Sequence, residues 1–122
     1  MDKVVTIVMA GGEGTRLSVL AERRAKPAVP FGGIYRIIDF TLTNAMVSGV
    51  CRLGVVVQYR PYSLVDHVSR GEWWGLGGIG RVCHMLTPYT GDADSTFYLN
   101  TADAVYRNID FLERFGDAEE VL

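Results

Sequence analysis

The sequence predicts an α/β fold, a mostly parallel sheet with flanking helices, from three features. Residues 4–10 (VVTIVMA) form a β-branched apolar run without polar alternation, the pattern of a parallel strand covered on both faces. A glycine-rich turn follows it at once. Further on, Leu42, Ala45 and Met46 repeat at helical spacing before a second apolar run at 53–57 (LGVVV), and strand, helix, strand implies a right-handed parallel crossover. The expected architecture is therefore Rossmann-like. At 122 residues, 48% hydrophobic and 21% charged, the chain supports one modest domain with a single core.

The remaining elements follow in order. Residues 20–24 suggest a short helical turn, while Pro27, Pro30 and the Gly32-Gly33 pair keep 25–35 extended, as a segment lining the site. Asp39 is read as the N-cap of the first long helix and Gly49 as its stop. The strand at 53–57 ends at Gln58-Tyr59, and Pro61 opens a short helix carrying Leu64, Val65 and Val68, closed by Gly71. Residues 71–80 are expected to be a mobile surface segment, anchored by both Trp73 and Trp74, which serve either as a subunit contact or as a clamp on the body. Residues 81–86 read as a strand and 87–96 as a polar loop able to reach over a ligand. Asn100 caps a continuous helix over 101–115, with Asp103 three residues on in a capping-box-like arrangement and Val105, Ile109 and Leu112 as its apolar stripe. Another strand begins within 118–122.

The glycine turn, Gly11-Gly12-Glu13-Gly14-Thr15-Arg16-Leu17, carries the chemistry. Three glycines allow a sharp turn with backbone N–H groups on one side, a donor nest that attracts anions, although an ordinary glycine turn has the same composition. It begins at the C-terminal edge of a strand, where open α/β sheets place ligands. A dinucleotide fingerprint G-x-G-x-x-G fails because Leu17 or Arg16 stands where a glycine is needed, and a Walker A loop fails because the chain has no Gly-Lys pair.

Charge points the same way. Residues 1–61 hold eight Lys/Arg against four Asp/Glu, and residues 62–122 hold four against ten. The first half suits an anion. Between Arg16 and Arg36 lie Arg23, Arg24 and Lys26, with Glu22 the only acid; beside a glycine turn, without interleaved aromatics, this cluster fits a small phosphorylated ligand better than nucleic acid. Cys51 and Cys83 lack metal-type or C-x-x-C spacing and read as buried free thiols of a reducing compartment. With no signal-peptide pattern and no membrane-length apolar run, a cytoplasmic protein is expected. His67 and His84 read as packing or surface residues, since a single His to which no catalytic partner is assigned usually is one, and the capping role explains Asp103.

GGEGTRL, RAKPAVPFGG, YRIIDF, SLVDHV and NTADAV, in that order and spacing, resemble the N-terminal part of the ADP-glucose pyrophosphorylase family, the glucose-1-phosphate adenylyltransferases of glycogen and starch synthesis. The resemblance covers nearly the whole chain. It implies adenylyl transfer from ATP to glucose 1-phosphate with Mg²⁺ bridging the phosphates, and catalysis by positioning and charge neutralisation. By matching positions, Gly11, Gly12, Gly14 and Thr15 wrap the nucleotide, Arg16 holds the β and γ phosphates, Lys26 counters charge at the α-phosphate, and Tyr98 lines the sugar-phosphate side. Arg36 matches an effector-contacting arginine. A homotetramer or a mixed tetramer is implied for the full-length protein, and no membrane or nucleic-acid partner.

The sequence departs from the family at Glu13 (usually basic), Ser18 (a Lys in some members), Tyr89-Thr90 (a glutamine pair), Phe97 (Trp) and Asn100 (Gly). A carboxylate at Glu13 repels a triphosphate unless a cation screens it. The resemblance further places the Mg²⁺-holding Asp beyond Leu122, followed by a sugar pocket and a left-handed β-helix. The chain is thus expected to be the nucleotide-binding part of a truncated domain and, alone, inactive. Two other readings stay open: a nucleotidyltransferase of different base or sugar specificity, and a non-catalytic regulatory or binding remnant.

Overall fold

The computed structural model describes residues 3–12, 14, 16, 22–69, 71–88 and 97–122. The chain runs through β1 (Val4–Met9), a 3-10 turn (Lys26–Ala28), β2 (Pro30–Phe31), β3 (Tyr35–Arg36), α1 (Ile37–Val47), β4 (Arg52–Val56) and α2 (Tyr62–Val68). A second 3-10 turn (Glu72–Trp74), β5 (Val82–Leu86), α3 (Thr101–Arg107), α4 (Ile109–Glu113) and β6 (Glu120–Val121) complete it. Four strands form one sheet in the order β5-β4-β1-β6, every neighbouring pair parallel. The α/β class read from the sequence is therefore the observed one.

The strict side-chain alternation of a strand divides this sheet into two covered faces. Leu53, Val55 and Val57 point into a cluster with Ile38 and Leu42 of α1 and Leu64 and Val68 of α2, joined by Val8, Cys83 and Met85. Val56 points the other way, to Tyr98 and to Ala104 of α3, with Ile7 and Leu86 beside it. Helices lie on both faces, so the strands read as mostly apolar runs without regular polar alternation. Gly54 belongs to the second face for a steric reason: a Cβ there would lie 2.7 Å from Leu86 Cδ1 and 2.8 Å from Phe111 Cε1. Its lack of a side chain lets α4 approach the sheet.

Several element boundaries differ from the sequence expectation. Asp39 is not the N-cap of α1. The helix starts at Ile37, and Asp39 occupies its third position, where Oδ2 accepts the Arg36 backbone N–H at 2.8 Å. This is half of a capping box; the guanidinium of Arg36 has no acceptor with which to return the bond. At the other end Gly49 does stop the helix. It adopts φ +75°, its N–H bonds Met46 O at 3.0 Å, and the Val50 N–H bonds Ala45 O at 3.0 Å, a Schellman arrangement that only a left-handed residue permits.

The helix expected over 101–115 is broken at Asn108, between α3 and α4. The Asn108 backbone N–H turns to Val105 O at 3.1 Å, while its side-chain amide takes Ala104 O at 2.8 Å and the Tyr98 hydroxyl at 2.9 Å. An amide side chain that competes for the backbone acceptor has displaced one helical bond. Segment 25–35 is likewise not wholly extended: it makes the Lys26–Ala28 turn, and β2 pairs antiparallel with β3 around Gly32 and Gly33, both with positive φ. α2 ends at Ser69, two residues before Gly71. Of the two tryptophans in 71–80 only Trp74 is an anchor, 7% exposed and in the core with Leu76, whereas Trp73 is 87% exposed. Of the helical turn expected at 20–24, residues 22–24 are described and make a bend rather than a helix, and of the loop at 87–96 only 87 and 88 are among the described residues.

Candidate functional site

A cleft of about 530 Å³ opens at the C-terminal ends of β1 and β4. Met9, Gly11 and Gly12 form one wall, Val56, Gln58 and Tyr59 the second, and the stretch from Tyr98 to Thr101 with Ala104 the third. The backbone amide of Ala10 bonds Val56 O at 2.8 Å, so the parallel pairing of β1 and β4 runs up to the rim. Just beyond it Gly11 passes so close to β4's exit that a Cβ would sit 3.3 Å from Gln58 Cβ. A side chain at that position narrows the cleft, which gives the first glycine a steric reason for its place.

The third wall is tied down by polar contacts. Gln58 Oε1 accepts the Tyr98 backbone N–H, and the Tyr59 and Phe97 rings stack at 5.2 Å with an 18° interplanar angle. Tyr98 is buried, its hydroxyl accepts from Asn108, and burial pushes its pKa above the ordinary tyrosine value. Among the described residues, each one lining it is uncharged. The slot thus suits the neutral parts of a ligand, such as a heterocycle or sugar, and charge for a phosphate must come from cations beside it.

Of the sequence-predicted site residues, the fold brings Gly11, Gly12 and Tyr98 to this one cleft. Gly14 takes φ +72°, a conformation that glycine adopts without a Cβ penalty. Arg16 is exposed, and Thr15 lies outside the described residues together with Glu13, Ser18 and Tyr89-Thr90. Lys26 is exposed in the 3-10 turn that packs against α1 and α2, and it is not among the residues lining the cleft. Arg36 also stands away from it: its Nη1 donates to Ser63 Oγ and to Ser63 O, each at 2.7 Å, joining the hairpin to α2.

The histidine and aspartate readings are settled by side-chain contacts, distant in sequence for His67 and His84 and local for Asp103. His67 was expected to lack an acidic partner, yet its Nε2 lies 2.5 Å from Asp39 Oδ1, bridging α2 to α1 across 28 positions. The pair borders a second cavity of about 470 Å³, framed by Ile34, Tyr35, Trp73 and Trp74. His84 packs its ring 5.8 Å from Phe111, a packing role as expected. Asp103 also has the structural role expected. It accepts the Leu99 N–H at 2.9 Å and Arg107 Nε at 3.0 Å, and these hold its carboxyl below the ordinary value, the Leu99 bond contributing most. Among the described residues, no group of three or more His, Cys, Asp or Glu could hold a metal ion.

Sequence reasoning passed over Gln58, Tyr59 and Asn108. Only the position of Gln58-Tyr59 at the end of a buried strand, where such sheets bind ligands, signalled them. Cys51 and Cys83 are half-buried rather than buried and form no disulfide. Burial pushes the Cys83 thiol up to about 11. No helix among the described residues is long and apolar enough to cross a membrane.

Comparison with known proteins adds an independent finding. Residues 5–122 match the Nucleotidyl transferase family. The chain is similar to the glucose-1-phosphate adenylyltransferase of Thermotoga neapolitana, 53% identical over 122 residues, covering 100% of this chain and 29% of that protein. It is similar also to those of Fervidobacterium nodosum (50% identical over 116 residues, 95% of this chain and 28% of that protein) and Clostridium beijerinckii (46% over 121 residues, 99% and 31%). The chain therefore spans roughly three-tenths of the length of the curated relatives it matches.

Proposed function

Because the chain belongs to the nucleotidyl transferase family, we propose that it is the nucleotide-binding part of an enzyme transferring adenylyl from ATP to glucose 1-phosphate, giving ADP-glucose and pyrophosphate for glycogen or starch synthesis. The observation that carries this reading is the convergence of Gly11, Gly12 and Tyr98 on one uncharged cleft at the ends of β1 and β4. In the reaction a phosphate oxygen of the sugar phosphate forms a bond to the α-phosphorus of ATP. The bond from that phosphorus to the bridging oxygen of the β-phosphate breaks, and pyrophosphate leaves with the electron pair.

This chain's part is to bind and orient. Gly11, Gly12, Gly14 and Thr15 wrap the nucleotide, Arg16 takes the departing phosphates, and Lys26 offsets charge at the α-phosphate. Tyr98, fixed by Gln58 and Asn108, presents a rigid wall to the sugar-phosphate side. Arg36 is proposed as an anion contact for a metabolite effector. Mg²⁺ would supply charge neutralisation in such a transfer, and among the described residues no group of three or more His, Cys, Asp or Glu could hold it.

Calorimetry of ATP with this chain and with an Arg16→Ala, Lys26→Ala double variant tests the phosphate grip. Loss of about 1 to 3 kcal/mol of binding energy is expected for two charge-assisted contacts. Equal binding by both proteins removes the assignment. Titrating UTP, dTTP and GTP alongside ATP tests the base, and preference for any of them over ATP overturns the adenylyl reading.

A further inference from the structure

We propose that Asp39 and His67 are a positioning pair for Lys26. The inference rests on the reading of Lys26 as a phosphate contact. Lys26 belongs to a three-residue turn seated between α1 and α2, and the turn's Ala28 is fully buried with Ile38 and Leu42 of α1 and Leu64 and Val68 of α2. Its exit is fixed as well, because Val29 O accepts the Ile37 N–H at 3.2 Å at the start of α1. The ammonium is exposed and makes no ion pair among the described residues. Its position therefore depends on how α1 and α2 are set relative to each other.

Two side-chain links set that relation. His67 Nε2 meets Asp39 Oδ1 at 2.5 Å, and Arg36 Nη1 holds Ser63 at 2.7 Å. They share a node, since Asp39 Oδ2 accepts the Arg36 backbone N–H at 2.8 Å. The His67 ring is steadied from the far side by Trp74, edge-on at 6.0 Å. Asp39 is 8% exposed, and a carboxylate this buried is costly without partners, so it holds both helices to one arrangement. Apolar packing alone fills the space between helices but tolerates small slides along their axes; a short polar bond between fixed atoms does not.

The test is a double-mutant cycle read by ATP affinity on the full chain, with thermal melting to confirm folding. His67→Leu is expected to weaken ATP binding roughly three- to tenfold although it touches no part of the cleft. In a Lys26→Ala background the same substitution is expected to cause no further loss, because the contact it positions is gone. His67→Gln, whose amide N–H stands near where Nε2 does, is expected to restore wild-type affinity. Asp39→Asn repeats the cycle from the other partner and carries the test if His67→Leu does not fold. Should Lys26→Ala bind ATP as tightly as wild type, the phosphate contact itself is refuted and the positioning role falls with it. Should Lys26→Ala weaken binding while the pair's variants do not, or while the two losses multiply, the positioning role alone is overturned.

Discussion

Gly54 shows how one residue decides a packing distance. Its backbone is ordinary, so the constraint is purely one of space, with two side-chain carbons inside 3 Å of any added Cβ. Gly54→Ala is expected to destabilise the domain by about 1 to 3 kcal/mol, the usual cost of overpacking, read as a lower urea midpoint at unchanged slope. Tyr98 is constrained by bonding instead. Tyr98→Phe removes the acceptor that Asn108 uses, and a loss of about 1 kcal/mol is expected from the same measurement. At this scale the sequence was partly readable: Gly54 lies within a recognisable strand, but its partner Phe111 is 57 positions away, and no local pattern announces that pairing.

Among the elements, α3 is the one most fully written in its own residues. Asn100 Oδ1 accepts the Asp103 N–H at 2.9 Å, as the spacing predicts, and Asp103 returns a bond to the Leu99 N–H rather than to that of Asn100. Asn100→Ala is expected to cost about 1 kcal/mol in chemical denaturation. Asp103 adds a pH dependence. Its folded carboxyl takes up its proton at lower pH than in the unfolded chain, so its stabilising contribution is whole above the ordinary carboxyl value and is lost as pH falls through the lowered one. Acid unfolding followed by circular dichroism should show Asp103→Asn less sensitive to pH than wild type in that acid window. The Asn100 cap was legible because its partner lies three residues away. The break at Asn108 was not, since its amide is held by the Tyr98 hydroxyl, ten positions earlier, as well as by the Ala104 carbonyl it takes from the helix.

For the whole molecule, protection should follow the sheet order. β1 and β4 are each paired on both sides, whereas β6 is a two-residue edge strand and the β2–β3 hairpin pairs only with itself. Hydrogen–deuterium exchange is expected to leave β1 and β4 amides slowest and to label the hairpin and β6 first; fast exchange of β4 contradicts the sheet order. The cleft opens at the ends of the two most protected strands. Its walls at Gly11 and Gln58 are thus expected to exchange slowly as well.

The sequence by itself determined the alternation of strands and helices, the parallel sheet, the Asn100 and Gly49 helix ends and the glycine turn after β1. Each depends on periodicity or on a backbone preference exerted within a few residues. The tertiary structure alone decided that Asp39 meets His67, that Gln58 holds Tyr98, that Trp74 is buried while Trp73 is not, and that Arg36 serves Ser63. Those contacts join residues 27 to 40 positions apart, or depend on which side of a short turn faces the core. Such pairings carry no period and no local preference; they exist once the sheet has brought distant segments together. Gly11 belongs to both descriptions, since composition marked it as a turn and only the approach of Gln58 made it the wall of a cleft.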